Sequence, residues 1–88
     1  MTTIEEINNE LDKNECCWVG LTSGRYWHEI HMDRLPGDIT MNVSHWWGIG
    51  SLRRGEKRSA MSEESISNLI ADLMKKGFWI FHNPTDPS

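Results

Sequence analysis

The chain has 88 residues, of which 38% are hydrophobic and 25% charged, and its formal net charge at pH 7 is −4. These values indicate one small globular domain with a thin core. The acidic balance argues against a non-specific nucleic-acid binder, whose affinity comes from neutralised phosphates, and it suits a basic protein partner. Because no apolar run approaches the ~18 residues of a membrane span and the amino terminus does not resemble a signal peptide, we expect a cytoplasmic protein with no membrane contact.

The first predicted element is a short helix over residues 3–14. Thr3 and Glu6 form a capping-box pattern at its start. Its apolar residues make only a narrow stripe, so we expect this helix to lie on a surface rather than inside the core. They recur at helical spacing as Ile4, Ile7 and Leu11.

The middle of the chain predicts a three-stranded antiparallel meander. Ser-Gly and Pro-Gly dipeptides supply the turn signals between the strands. A two-residue hairpin at each turn would pair Thr22 with Arg25 and Leu35 with Asp38. The predicted strands cover residues 16–22, 25–34 and 38–47.

The two faces of this meander differ in character. One face is apolar and is the predicted core, and the assumed register places His28 and His45 in one row of it. The opposite face is polar except for Trp18, Trp27 and Trp46, of which the last two would share a row. The apolar and aromatic residues of the core face are Cys17, Val19, Leu21, Tyr26, Ile30, Met32, Ile39, Met41, Val43 and Trp47.

A second helix is predicted over residues 62–76, followed by a short strand over 78–82. Ser62 is a suitable N-cap, acidic residues follow it, and Gly77 stands where a left-handed C-cap is needed. We expect the apolar face of this helix to pack on the core face of the meander. That face consists of Ile66, Leu69, Ile70, Leu73 and Met74.

The predicted fold class is therefore α+β, in the order helix, three-stranded antiparallel meander, helix and short strand. Residues 1–82 are expected to form a single small domain, and residues 83–88, which include two prolines, a flexible carboxy-terminal tail. The sequence contains no internal repeat and no low-complexity segment.

The three tryptophans of the polar face are the most informative candidates for a site. They form a second small core if helix 3–14 or strand 78–82 covers them. Left uncovered, they form a surface for a partner or for a second copy of the chain. The first helix has few apolar residues with which to cover three indole rings.

Residues 48–58 are predicted to be a flexible basic loop flanked by Trp46 and Trp47. Arg53 and Glu56 stand where the dinucleotide and P-loop patterns require other residues, so neither motif is complete. The loop is either solvated, in contact with an acidic protein patch, or bound to phosphates beside the two indoles. Its basic residues are Arg53, Arg54, Lys57 and Arg58.

The histidines and cysteines do not predict a metal or catalytic site. In a strand, His28 and His31 point to opposite faces and cannot share an ion. We expect His28 and His45 to form a hydrogen-bonded imidazole pair inside the sheet. The adjacent Cys16 and Cys17 suit reduced thiols, and nothing places an orienting group or oxyanion donors beside them, so we predict no catalytic residue and no cofactor.

The leading hypothesis is a non-catalytic protein-binding module with a heteromeric target, or with a second copy of the chain as partner. By analogy of size and charge, it would be a small inhibitor of the phage anti-defence type that occludes a host nucleic-acid-binding enzyme. The alternatives are a nucleotide or phosphate-ligand-binding protein and a single-stranded nucleic-acid binder. The predicted partner-binding residues are Trp18, Trp27, Trp46, Trp47, Arg53, Arg54, Lys57 and Arg58.

Overall fold

The described residues of the computed structural model are 4–35, 37 and 39–83. They form a helix, four consecutive strands, a second helix and a last strand, which confirms the α+β class but with four meander strands instead of three. The elements are α1 (Ile4–Asn14), β1 (Cys16–Ser23), β2 (Tyr26–Arg34), β3 (Thr40–Ile49), β4 (Leu52–Ser62), α2 (Glu63–Lys75) and β5 (Trp79–Asn83).

The described strands form one five-stranded sheet in the order β4-β3-β2-β1-β5. All four neighbouring pairs are antiparallel. The meander runs from β1 to β4, and α2 then returns the chain so that β5 pairs with the free side of β1. β4 and β5 are therefore the two edges of the sheet, and β2 is its central strand.

Both helices pack on one face of this sheet. The apolar stripe of α1 is narrow, but the helix still contributes to the core. Ile7 and Leu11 are only 3% and 1% exposed, because they pack against the strands beside α2. Ile39, predicted to belong to the core, instead precedes β3 and is 88% exposed. The buried core consists of Ile7, Leu11, Cys17, Val19, Leu21, Ile30, Met32, Met41, Val43, Ile66, Ile70, Leu73 and Ile80.

Arg34, at the end of β2, joins the sheet to both helices. Its guanidinium donates to Asp12 Oδ1 of α1 at 2.7 Å and to Glu63 Oε1 at the start of α2. The two carboxylates are largely exposed, so each ion pair adds little stability. The two ion pairs of Arg34 instead fix the positions of the end of α1 and the start of α2 relative to β2.

The predicted register is wrong by two residues in the first hairpin. The turn is Gly24-Arg25, so Ser23 pairs with Tyr26 and Val19 lies opposite Ile30. Gly24 has φ +63°, the left-handed conformation that a tight hairpin turn requires. A shift of two residues preserves the face to which each side chain points, so the predicted division into two faces still holds.

The second hairpin shows the same two-residue shift, with Arg34 opposite Met41 and His28 opposite Trp47. The predicted pairing of Leu35 with Asp38 falls partly outside the described residues. The predicted tail, residues 83–88, also lies outside them except for Asn83, which is the last residue of β5.

The prediction of a flexible loop over residues 48–58 is wrong, because β4 occupies most of that segment. β3 turns at Gly50-Ser51, so that Ile49 pairs with Leu52. The register then shifts by one residue between Trp47 and Gly48, which leaves Arg54 as the extra residue of a β-bulge. Charged residues are typical of edge strands, where they prevent pairing with other chains.

Replacing Ile70 with alanine should lower the free energy of unfolding by about 2–5 kcal/mol, because Ile70 is 1% exposed in the centre of the core. The control, Asn68→Ala, changes an exposed position of the same helix and should change stability by less than about 0.5 kcal/mol. Urea unfolding measures both values. Equal effects of the two substitutions would show that α2 does not pack as described.

Candidate functional site

The sheet face opposite the helices, called here the open face, contains most of the large aromatic residues. Alternation along each strand assigns the residues to it, and the burial of Ile80 between its two neighbours confirms the alternation in β5. In the described part of the chain, no helix packs on this face. Its aromatic residues are Trp18, Trp27, His31, Trp46, Trp79 and Phe81.

Trp18, Trp27 and Trp46 lie on the open face, and all three are half-buried. The predicted row shared by Trp27 and Trp46 does not exist. Trp27 lies opposite Gly48, whereas Trp46 lies opposite Glu29. The two-residue register shift in the second hairpin is the cause.

Trp79 and Phe81 lie on this face but are not among the residues that the sequence predicts for it. Trp79 pairs with Thr22 of β1, and its side chain is 55% exposed, while Phe81 is 38% exposed. The alternation of Trp79, Ile80 and Phe81 was a signal that this short strand has one buried and one aromatic face. Its place beside β1 could not be derived from the local pattern.

Three aromatic rings in the sheet lie directly over glycines of the neighbouring strand. A Cβ at Gly20 would overlap the Phe81 ring, and a Cβ at Gly48 would lie 2.3 Å from the Leu52 carbonyl oxygen and 2.5 Å from Cζ2 of Trp27. On the helix side, a Cβ at Gly55 would overlap the Trp47 ring. Because glycine has no side chain, each ring can approach the backbone of the neighbouring strand closely. Trp27 also donates from Nε1 to the Gly50 carbonyl at 2.8 Å.

Trp46 is held by polar contacts with β4. Its Nε1 donates to Glu56 Oε2 at 3.0 Å, and the guanidinium carbon of Arg53 lies 5.8 Å from its ring centroid. Arg58 Nε lies 3.6 Å from the same Glu56 oxygen. This edge of the open face therefore combines an indole, a carboxylate and two guanidinium groups.

The structure separates the four basic residues that were predicted to act together. Arg53 and Arg58 share the open face with Trp46, opposite Gly48 and Ser44, respectively. Lys57 lies opposite His45 on the helix face, and Arg54 is the bulge residue. Only two of the four basic residues can therefore contribute to a contact made by the open face.

Trp47 also lies on the helix face, away from the other predicted partner-binding tryptophans. Its ring covers Gly55, and its centroid is 5.0 Å from that of His45 and 6.5 Å from that of His28. Trp46 and Trp47 are adjacent in a strand, so they point to opposite faces and do not flank a common site.

His28 and His45 form the predicted imidazole pair, but as diagonal neighbours. His28 Nδ1 and His45 Nε2 are 2.8 Å apart, and the edge of Phe78 approaches His28 at a centroid distance of 4.8 Å. Burial, the His28 ring and Lys57 together lower the pKa of His45 from its ordinary 6.5 to about 4. Burial and Lys76 also lower the pKa of His28. Both rings are therefore neutral at pH 7.

His31 lies on the open face between two indoles, with centroids 5.0 Å from Trp18 and 4.6 Å from Trp46. Its Nε2 is buried and has no hydrogen-bond partner. Desolvation lowers the pKa of His31, although the nearby Glu29 and Asp33 charges oppose that shift. The neutral ring therefore behaves as a further aromatic member of this face.

Cys17 is 1% exposed, and burial, with smaller contributions from Glu10 and Cys16, raises the pKa of its thiol to about 12. It is therefore a protonated core residue and a poor nucleophile at neutral pH. Among the described residues, no three His, Cys, Asp or Glu side chains converge to hold a metal ion. Neither α1 nor α2 is long and apolar enough to cross a membrane.

Comparisons with protein-family models, with curated proteins and with solved structures find no match to this chain. Its function must therefore be inferred from its own surface chemistry. The open face, with Trp79 and Phe81 exposed, is the surface feature from which the function is argued below.

The Gly20 and Phe81 positions should be energetically coupled. Gly20→Ala should destabilise the protein by about 1–3 kcal/mol, because the new Cβ displaces the Phe81 ring. In a Phe81→Ala background, the same substitution should cost much less, since the overlap involves only Phe81 atoms. The free energies of unfolding of the wild type, the two single variants and the double variant are measured with urea. Together they give the coupling energy between the two positions. An equal cost of Gly20→Ala in both backgrounds would show that the ring does not cover Gly20.

The free energy of unfolding should fall as the pH is lowered from about 6.5 to about 4. In that range an unfolded histidine binds a proton that folded His45 does not bind, so protonation favours the unfolded chain. Urea unfolding at several pH values measures the slope. His45→Gln should flatten the slope without abolishing it, because His28 and His31 shift in the same direction. Identical slopes for the wild type and the His45→Gln variant would show that His45 does not contribute to the pH dependence of stability.

Proposed function

We propose that this chain is a non-catalytic protein-binding module whose open face contacts the partner. The observation behind this proposal is the set of aromatic side chains on a sheet face without a helix, with Trp79 55% and Phe81 38% exposed. Large apolar surfaces are costly to leave in water, and monomeric proteins seldom expose a contiguous patch of them without a use. Tryptophan is also the residue type most enriched among the dominant contacts of protein interfaces.

The rim of the open face is suited to a specific protein contact. Arg53, Glu56 and Arg58 provide charges of both signs beside Trp46. Polar rims of this kind surround the apolar centre of most protein interfaces and determine orientation and association rate. Arg54 and Lys57, which the sequence predicts among the partner-binding residues, are not needed for this arrangement.

The partner that we propose is a nucleic-acid-binding enzyme, which the chain would occlude as a small inhibitor of the phage anti-defence type. The support is an analogy of size and charge: the chain is acidic, with net charge −4, and such enzymes present basic surfaces. Two free cysteines suit a reducing compartment, so we propose that it acts in the cytoplasm.

Two observations favour this proposal over a nucleotide or single-stranded nucleic-acid site. The indoles of Trp46 and Trp47 lie on opposite faces, so they cannot stack bases together. The basic residues that would contact phosphates are divided between both faces, and Glu56 already lies beside Arg58.

Trp79→Ala should weaken partner binding at least about 30-fold, the effect of losing a dominant interface contact of 2 kcal/mol, while leaving the melting temperature nearly unchanged. The matched control is Met74→Ala, which removes a large apolar side chain, 42% exposed, from α2 on the other side of the sheet. The partner is first captured from host lysate, identified by the mass of the intact complex and purified. Titrations with both variants then give the two dissociation constants.

Equal affinity of the Trp79→Ala and Met74→Ala variants would contradict a role for the open face. The salt dependence of the complex distinguishes the alternatives. A protein interface anchored by tryptophan should weaken only modestly between 50 and 200 mM salt, whereas a complex with six to ten phosphate contacts would weaken about 10³-fold or more.

A further inference from the structure

The centre of the open face contains a carboxylate whose charge no described side chain balances. Glu29 lies in β2, the central strand of the sheet, and is half-buried. No ion pair or hydrogen bond connects its side chain to a described residue. An added cation at this position can therefore pair with a carboxylate that no described basic side chain contacts.

Aromatic side chains surround Glu29 on the open face. Trp46 is directly opposite it on β3, and Gly20 is directly opposite on β1. Because the Phe81 ring covers Gly20, an aromatic ring also occupies the β1 side of the carboxylate. Directly opposed side chains on a sheet start about 4.5–5.5 Å apart, so all these groups can contact one ligand. The surrounding residues are Trp27, His31, Trp46 and Phe81.

Glu56, the other acidic residue beside Trp46, has the basic neighbours that Glu29 lacks. Glu56 accepts from Trp46 Nε1 and lies beside Arg58, while Arg53 lies near the Trp46 ring at 5.8 Å. On the β4 side of Trp46, a carboxylate and an indole are therefore already combined with guanidinium groups. On the β2 side, the carboxylate and the aromatic rings are present without the cation.

We propose that Glu29 and the rings around it bind an arginine side chain of the partner protein. This inference rests on the proposed function and specifies its partner as one that presents an exposed arginine. A guanidinium is planar, so it can stack against an indole while it pairs with a carboxylate through two hydrogen bonds. A phosphate or a carboxylate at the same position would be repelled by Glu29, whereas the net charge of −4 attracts a basic surface.

The test uses N-acetylarginine methylamide as the probe and N-acetylcitrulline methylamide as its neutral, nearly isosteric control. Binding is followed by the indole N–H signals of the five tryptophans in two-dimensional NMR at constant ionic strength. We expect the arginine probe to shift the Trp46 and Trp27 signals saturably, with a dissociation constant of the order of millimolar. The citrulline probe should bind at least about tenfold more weakly.

Glu29→Gln is the decisive variant because it removes the charge and keeps the size of the side chain. It should raise the dissociation constant of the arginine probe at least about tenfold. The dissociation constant of the citrulline probe and the melting temperature of the protein should not change. Glu5→Gln, an exposed position of α1 on the other side of the sheet, is the matched control for net charge and should have little effect.

Three results would overturn the arginine site. Equal effects of Glu29→Gln and Glu5→Gln would show that the arginine probe is attracted by the overall negative charge of the chain and not by Glu29. Equal binding of the arginine and citrulline probes would show an aromatic surface without selectivity for a cation. Shifts of the same signals by a single-stranded thymidine oligonucleotide, without shifts by the arginine probe, would point to a nucleic-acid ligand instead.

The partner complex separates a failure of this inference from a failure of the proposed function. If Trp79→Ala abolishes partner binding while Glu29→Gln does not weaken it, the protein-binding function stands and the arginine site is wrong. If the arginine probe binds through Glu29 but Trp79→Ala leaves the partner complex intact, the site is a cation site and the open face is not the protein interface.

Discussion

The sheet depends on the close contact between aromatic rings and glycines of neighbouring strands. At each such position the missing Cβ leaves room for a ring of the neighbouring strand to approach the backbone closely. The contacts connect β5 to β1, β2 to β3 and β3 to β4, so they fix three of the four strand registers. The pairs are Phe81 with Gly20, Trp27 with Gly48 and Trp47 with Gly55.

The two faces of the sheet differ because the chain supplies only two helices. α1 and α2 have 11 and 13 residues, or about 16 and 20 Å of helix, which is enough to cover one side of a sheet about 20 Å wide. Arg34 anchors both helix ends on that side. The described chain has no further element for the other side, and the aromatic residues there pack against glycines, against His31 and against one another. This arrangement leaves the outer surfaces of Trp79 and Phe81 exposed to water.

Local signals were sufficient to predict α2, the α+β class and the division of the meander into two faces. The register was not predictable from the turn alone, since Ser23-Gly24 and Gly24-Arg25 are both acceptable two-residue turns and differ by two residues in pairing. The segment of β4 predicts a loop because its charged residues hide any apolar alternation, as is usual for an edge strand. A usable signal did exist. Placing Gly48 opposite Trp27 gives the observed register of β2 and β3.

The contact of each ring with its glycine has a consequence for the evolution of this chain. A mutation that adds a side chain at Gly20 displaces the Phe81 ring, and a mutation that removes the ring uncovers the backbone at Gly20, so neither change is neutral alone. Substitutions at such positions should therefore accumulate as compensated doublets, while the solvent-facing residues between them drift freely. Correlated replacement of glycine and aromatic residue, rather than overall identity, is the signature by which diverged descendants of this fold would be identified.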